Sequence, residues 1–472
     1  MRRYLLIPFL AVPFAIRAAD AIPDRGPLRL NLKRAVEIAL SPEGNTYIQL
    51  SDENVRQAKS RTVEARSAML PDIEAQAEQG TVMKSLAALG LDLATNQTLL
   101  QAENSLTGPL ANTVEKPLLN DIIHDIPRVV GPFNSVDVRA RVTQSIVDVS
   151  SFRRYQSSRA ALRAAKGDRS NTDDAVSSTV AKAYLAALRA DADVEAYQAN
   201  VALAEAVLKQ SQNQKEAGTG TGIEVTRAKV QLSNEKQHLL MVQNDRNKAY
   251  LQLLRAMGLN LATELELTDK LSYTPVETVN VQQAMAEALK NRPDIKAQAE
   301  REAAARLNAN SVKLERLPTL YAFADYGTTG TNGNIVSLLP TRDYGFALRV
   351  PIFDGGRRDA RRAETASQFR QERVRTNDLH EQIELEIRTA LDTLHSAEEQ
   401  LKVAEEGLTL SDSELTQARR RFGAGFASNL EVTDAQTRLE RARDNRIAAL
   451  FSYNVARIDL GKAMGNVRGM IQ

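Results

Sequence analysis

Glu431 and Asp434 stand three residues apart, so on a helix their carboxylates share one face. Two acids on one face can gather cations. Acids in a helix's first turn are also favoured simply by the helix dipole. The pattern has an earlier counterpart: Glu431-Val432-Thr433 echoes Glu224-Val225-Thr226, and Asp434 falls against Arg227. Little else has the residue types or spacing for chemistry. His124, His238, His380 and His395 are scattered; the last two, if on one helix, are ~22 Å apart by helical rise, too far for one metal. The run Gly218-Thr219-Gly220-Thr221-Gly222 lacks the Lys-Ser/Thr of a phosphate loop and has no strand before it. There is no cysteine, which excludes disulfides, thiolate metal sites, thiol catalysis and a lipid-bearing N-terminal cysteine. An enzyme, a cofactor and a bound metal are therefore not expected.

The elements that must position these acids are helices joined by glycine turns. Gly423 and Gly425 interrupt a helical pattern, and Ser428 or Asn429 can cap the next helix. Gly218 and Gly222 do the same in the earlier stretch. Gly425 matches Gly218, Leu439 matches Leu232, and Ala463-Met464-Gly465 repeats Ala256-Met257-Gly258, all at a constant offset of 207 positions. A fixed offset through a turn and the helix after it marks a duplicated unit. Ile383, Ile387, Ala390, Leu394, Ala397, Leu401, Ala404, Leu408, Ser411, Leu415 and Ala418 are spaced four and three in alternation, a heptad seam. No proline interrupts residues 357–421, so this helix is expected to reach on the order of 95 Å. Ala435, Leu439, Ala442, Ala449, Tyr453, Ala456, Leu460 and Ala463 continue the seam after the turn, with Arg446 the one charged interruption.

Ahead of each hairpin the pattern changes. Residues 30–70 and 279–317 read as helical, ending at Pro71 and Pro318. Strands are expected at about 72–79, 136–147, 319–327 and 343–353, where apolar and polar residues alternate. Ile73, Ala75 and Ala77 alternate with Asp72, Glu74, Gln76 and Glu78, and Tyr344, Phe346, Leu348 and Val350 with Asp343, Gly345, Ala347 and Arg349. Each is near the ~10 residues of a tilted membrane-spanning strand. Four strands cannot close a barrel, and an open sheet has no place in lipid. Either several chains share one barrel, or helices cover a soluble sheet. Residues 80–131 form a long loop with several prolines and a possible short helix at 85–93.

Whole-chain numbers agree with a mostly helical protein bearing a few strands. The 472 residues carry 61 basic and 59 acidic side chains, which gives no electrostatic case for nucleic acid. Residues 1–21 carry Arg2-Arg3, an apolar run broken by Pro8 and Pro13, and alanines near position 20, the pattern of a secretory signal. The expected organisation is a signal at 1–21, a first repeat at 22–257 with its tip near 218–222, a linker at 258–278, and a second repeat at 279–472 with its tip near 423–429.

With Asn291-Arg292-Pro293-Asp294-Ile295, Leu317-Pro318, Leu348 to Gly356 and the turn from Gly423 to Gln436 in this order and partly duplicated, the chain resembles the TolC-like outer-membrane efflux protein family over about 30–465. That resemblance implies a homotrimer in the outer membrane of a Gram-negative-type cell. Its twelve strands would form one barrel in outer-membrane lipid, continued by a hollow helical cylinder in the periplasm. It implies two partners, a periplasmic adaptor and an inner-membrane transporter, and an exit duct for efflux or type I secretion. Glu431 and Asp434, with Glu224 and Arg227 as first-copy counterparts, would close the entrance. Gly218, Gly222, Gly423, Gly425 and Asn429 would form the tips the adaptor meets. The arginine that often locks this family's entrance is replaced by Ala427; Arg227 or Arg419 to Arg421 are the candidate substitutes. The competing reading is a soluble periplasmic coiled-coil adaptor or scaffold, which would carry one hairpin rather than two.

Overall fold

The computed structural model describes residues 27–85, 129–276, 279–331, 339–424 and 426–471, with positions 101 and 105. The expected signal at 1–21, nearly all of the expected helix at 85–93 and Gly425 lie outside the described residues. In chain order come β1 (Leu28–Leu30), α1 (Leu32–Ala39), α2 (Thr46–Ser67), β2 (Asp72–Ser85), β3 (Val129–Val147), α3 (Val149–Glu216), α4 (Gly222–Met257) and β4 (Leu265–Leu267). Then come α5 (Val281–Asn291), α6 (Pro293–Leu314), β5 (Thr319–Thr331), β6 (Leu339–Arg349), α7 (Arg357–Gly423), α8 (Asn429–Ala463) and α9 (Val467–Met470).

Two expected helices are broken. The run from residue 30 to 70 opens as a strand, because β1 pairs in parallel with β4 inside the expected linker, Leu30 against Leu267. It breaks again at Ser41-Pro42-Glu43-Gly44, where Pro42 supplies no amide hydrogen. In the second copy the break falls at Arg292, held at φ −58°, ψ 125°. Pro293 drives the residue before it out of the helical region.

The elements gather into two compact units. One comprises residues up to 53, 168–294 and 379–472; the other comprises 54–167 and 295–378. Helices α3 and α7 contribute to both.

The second unit holds an antiparallel four-stranded sheet in the order β2-β3-β5-β6. Its strands are longer than the alternation indicated, except β6, which starts earlier and stops at Arg349 rather than residue 353. Pro351 cannot donate to a ladder, so pairing ends before it. Pro132 is tolerated within β3 because a register shift lies opposite it, between Val82 and Lys84. Register puts Ala77, Val138, Ala140, Tyr326, Ala324, Tyr344, Ala322 and Phe346 on one face. That face is open: Ile73 is 72%, Tyr344 77% and Phe346 75% exposed. Its reverse carries the cross-strand row Glu74, Arg141, Asp325 and Asp343. Asp325 there is buried, with Arg139 and Arg141 each 3.7 Å away. Below the sheet, Glu315 pairs with Arg154 at 3.1 Å and Arg361 at 2.9 Å, and Asp354 with Arg358 at 3.1 Å. Arg154, which follows β3, and Arg358 and Arg361, which follow β6, therefore have intramolecular partners.

The first unit is packed by the predicted seams. Ile383, Ile387, Ala397, Leu401, Leu415 and Ala418 are buried on α7, and Ala435, Leu439, Tyr453, Ala456 and Leu460 on α8. The motif at 291–295 has a structural role here. The buried Arg292 binds Asp294 at 2.6 Å, Glu386 at 2.7 Å and the Ala463 carbonyl at 3.1 Å. Gly465, two residues on, has φ +72° and lies so close to Arg292 that a Cβ would collide with it. The first copy repeats the arrangement with different chemistry. Asn45 donates to the Ala256 carbonyl at 2.7 Å, and Gly258, φ +77°, presses on Gly44.

Candidate functional site

The predicted site residues lie where α3 turns into α4 and α7 into α8. Gly218 closes the first turn at φ +77°, a conformation that side chains with a Cβ rarely adopt. Amides of Thr219 and Gly220 both return to the Gln214 carbonyl at 2.9 Å. Thr221 then caps α4, and its own amide donates to the Glu224 carboxylate at 2.9 Å. Glu224 is thus engaged in its helix cap, the bland role its position allowed. In the second turn the Phe426 amide returns to the Arg421 carbonyl at 2.9 Å, and Ser428 caps α8 in extended conformation. Gly222 and Gly423 have no positive φ and open space around a Cβ, so the backbone does not demand glycine there. Asn429 opens α8.

The two turns belong to one packed cluster. Val207, Ala228, Leu415, Ala418, Phe422, Val432, Ala435 and Leu439, drawn from all four helices, are buried together. Above this base Arg421 pairs with Glu431 at 3.2 Å. Of Arg227 and Arg419 to Arg421, Arg421 is the one that pairs with Glu431 among the described residues. Asp434 and Arg227 are exposed, and no ion pair joins either to another described residue. Both partners of the Arg421–Glu431 pair are half-exposed, so it contributes little to stability.

Higher on the same helices is a second group that the sequence did not single out. Glu235 on α4 is 5% exposed and accepts from Gln231 at 2.5 Å through Oε1 only. Facing it from α8 are Gln436, Glu440 and Asp444, and from α3 Tyr197 and Asn200. The visible signal was the spacing of Gln436, Glu440 and Asp444 by four, alongside the apolar seam. His238, read as scattered, stands with Nδ1 3.8 Å from Glu440 and its ring 5.7 Å from that of Tyr197.

Among the described residues no His, Asp or Glu set is arranged to hold a metal. Among the described residues no helix is long and apolar enough to cross a membrane. Residues 131–259 and 284–466 match the family described as outer membrane efflux protein. The chain belongs to that family. It is an outer-membrane protein, and it serves as an outer-membrane channel for efflux or secretion. The pyoverdine export outer membrane protein OpmQ of Pseudomonas putida is 24% identical over 461 residues, 95% of this chain and 89% of OpmQ. The alkaline protease secretion protein AprF of Pseudomonas aeruginosa is 22% identical over 66% of each chain. The efflux channel fold is shared as well. The Campylobacter jejuni CmeC outer membrane channel aligns with TM-score 0.73 at 16% identity, over 92% of this chain and 86% of CmeC. The open state of the Neisseria gonorrhoeae MtrE channel aligns with TM-score 0.71 at 16% identity, over 92% and 89%.

Proposed function

We propose that three copies of this efflux protein share one twelve-stranded barrel, and that their hairpins form a duct whose entrance the tips close. The observation that carries this is the open sheet. Its order leaves β2 and β6 as bare edges, and its apolar face is uncovered. Bare edges and exposed aromatics are tolerable in lipid only if β6 of one copy pairs with β2 of the next. A soluble sheet would need a cover over Tyr344 and Phe346, and among the described residues none supplies it, which disfavours the soluble adaptor reading.

In this account the duct is passive and not an enzyme. Glu431 and Asp434 would recur around the axis as acidic rings that attract cations and resist opening, with Arg421 holding Glu431. Glu224 and Arg227 would contribute from the first hairpin. The tips at Gly218, Gly222, Gly423, Gly425 and Asn429 would meet a periplasmic adaptor that links the duct to an inner-membrane transporter. The repeats at 22–257 and 279–472 would each supply two strands and one hairpin. Small molecules are the favoured cargo. The likenesses that span nearly the whole chain are to proteins named for pyoverdine export and toluene efflux, whereas that to the protease secretion protein spans 66%.

Because the chain has no cysteine, single introduced thiols test the barrel directly. In outer membranes a Phe346→Cys thiol should resist a membrane-impermeant maleimide and be quenched, once labelled with a fluorophore, by bromolipid. An Asp343→Cys thiol, one strand face over, should react with the impermeant reagent. Equal reaction of both with the impermeant reagent would contradict a lipid-facing Phe346.

A further inference from the structure

Helix α4 ends the first hairpin and α8 the second, so Glu235 and Glu440 meet across the junction of the two. Glu235 Oε2 and Gln436 Nε2 are both buried without a hydrogen-bond partner. Both residues are more than nine-tenths buried, and both line a small, partly open space of about 10 Å³ together with Asn200, Gln231 and Glu440. That is the size of one water. An ionised carboxylate oxygen left there without donor or cation is strongly unfavourable.

The charged and titratable neighbours on every packed element are few. From α4 comes His238; from α8 come Glu440, Asp444 and Arg443; from α3 come Arg189, Asp193 and Tyr197. Arg443 is turned to Asn200, at 2.7 Å. Arg189 lies over the Phe451 ring at 5.2 Å and 3.8 Å from Asp193. The Tyr197 hydroxyl donates to Asp444 at 3.2 Å. No arginine or lysine pairs with Glu235 or Glu440 among the described residues; only His238 approaches.

We propose that Glu235 and Glu440 form a proton-binding clasp: protonated, with one water in the cavity, they join the two hairpins, and on losing their protons they force the hairpins apart. Burial, the largest cause in each case, lifts Glu235, Glu440 and Asp444 above the ordinary carboxylate range; repulsion from Asp444 adds to it for Glu235, and repulsion from Glu235 and Asp444 adds to it for Glu440. A carboxyl whose pKa is higher in the packed state binds more protons there, so packing is favoured below ordinary carboxylate pKa values. That advantage is lost as pH rises through the raised values. Helix α8 begins at Asn429, so Glu440 sits ~16 Å along it from the tip, and a change at the clasp is transmitted to the entrance. The clasp lies within one chain's hairpins and stands whether or not three copies share a barrel.

The test uses spin labels on Lys229→Cys and Arg441→Cys, exposed positions on α4 and α8, in full-length protein with labelled chains diluted into unlabelled ones. Raising the pH from about 5 to about 8, which starts above the ordinary carboxylate values, should shift the interspin distance upward. In the Glu235→Gln, Glu440→Gln background the distance should stay at its low-pH value throughout. In the Glu431→Ala, Asp434→Ala background the shift should persist. A distance that ignores pH in the otherwise unaltered chain, or that responds equally with both glutamines in place, overturns the clasp. Calcium at about pH 8 reproducing the low-pH distance would make the ligand a metal ion and also overturns it. Should the double variant not fold, infrared difference spectra decide on the unsubstituted protein against Glu440→Gln alone. A protonated-carboxyl band lost on raising the pH, and weakened in the single variant, is required.

Discussion

Arg421 and Glu431 face each other at 3.2 Å across the second turn, while Asp434, one helical turn on, points into solvent. Both acids are accessible, so their removal should act on ions rather than on folding. Replacing Glu431 and Asp434 together with alanine is expected to raise single-channel conductance or weaken block by divalent cations. Thermal stability should change by less than about 1 kcal/mol. Unchanged conductance and unchanged block would remove both from the entrance. These acids were legible because a helix's first turn after glycine can be read from a line of text. Glu224 was legible in position, and the structure adds that it accepts the amide of Thr221 in its own cap. The group around Glu235 was not legible. Its members come from α3, α4 and α8, separate stretches of the sequence that only packing brings together.

The turns themselves separate two demands at the level of elements. Gly218 is fixed by its backbone, φ +77°, so Gly218→Val should destabilise the first hairpin by roughly 1–2 kcal/mol, read as a lower unfolding temperature. Gly423 sits at the end of α7 with open space around it. Gly423→Ala should leave the unfolding temperature unchanged or raise it, since alanine favours a helix by up to about 1 kcal/mol. If Gly423→Ala nonetheless abolishes export by cells, the glycine is kept for a partner's approach; if export survives, Gly423 is not a contact that requires glycine. Helix seams were read correctly along α7 and α8 because a heptad pattern repeats over many turns. Ends of strands were not, since they depend on partners. Residues 80–85 look like a loop until β3 pairs with them, and β1 exists only because β4 lies beside it.

At the scale of the molecule, duplication was the most readable feature, and the structure gives it a physical meaning. Arg292 and Asn45 do the same work in the two copies, each binding the carbonyl two residues before a glycine of positive φ. The sheet order β2-β3-β5-β6 puts the two copies' strands side by side and leaves one bare edge from each. A protein with that sheet and an open apolar face is incomplete as one chain. The direct test is planar-bilayer conductance of the purified protein, with oligomeric mass measured on the same detergent sample. Trimers that give discrete conductance steps are the predicted result. A monomer that stays soluble without detergent and passes no current would contradict the account.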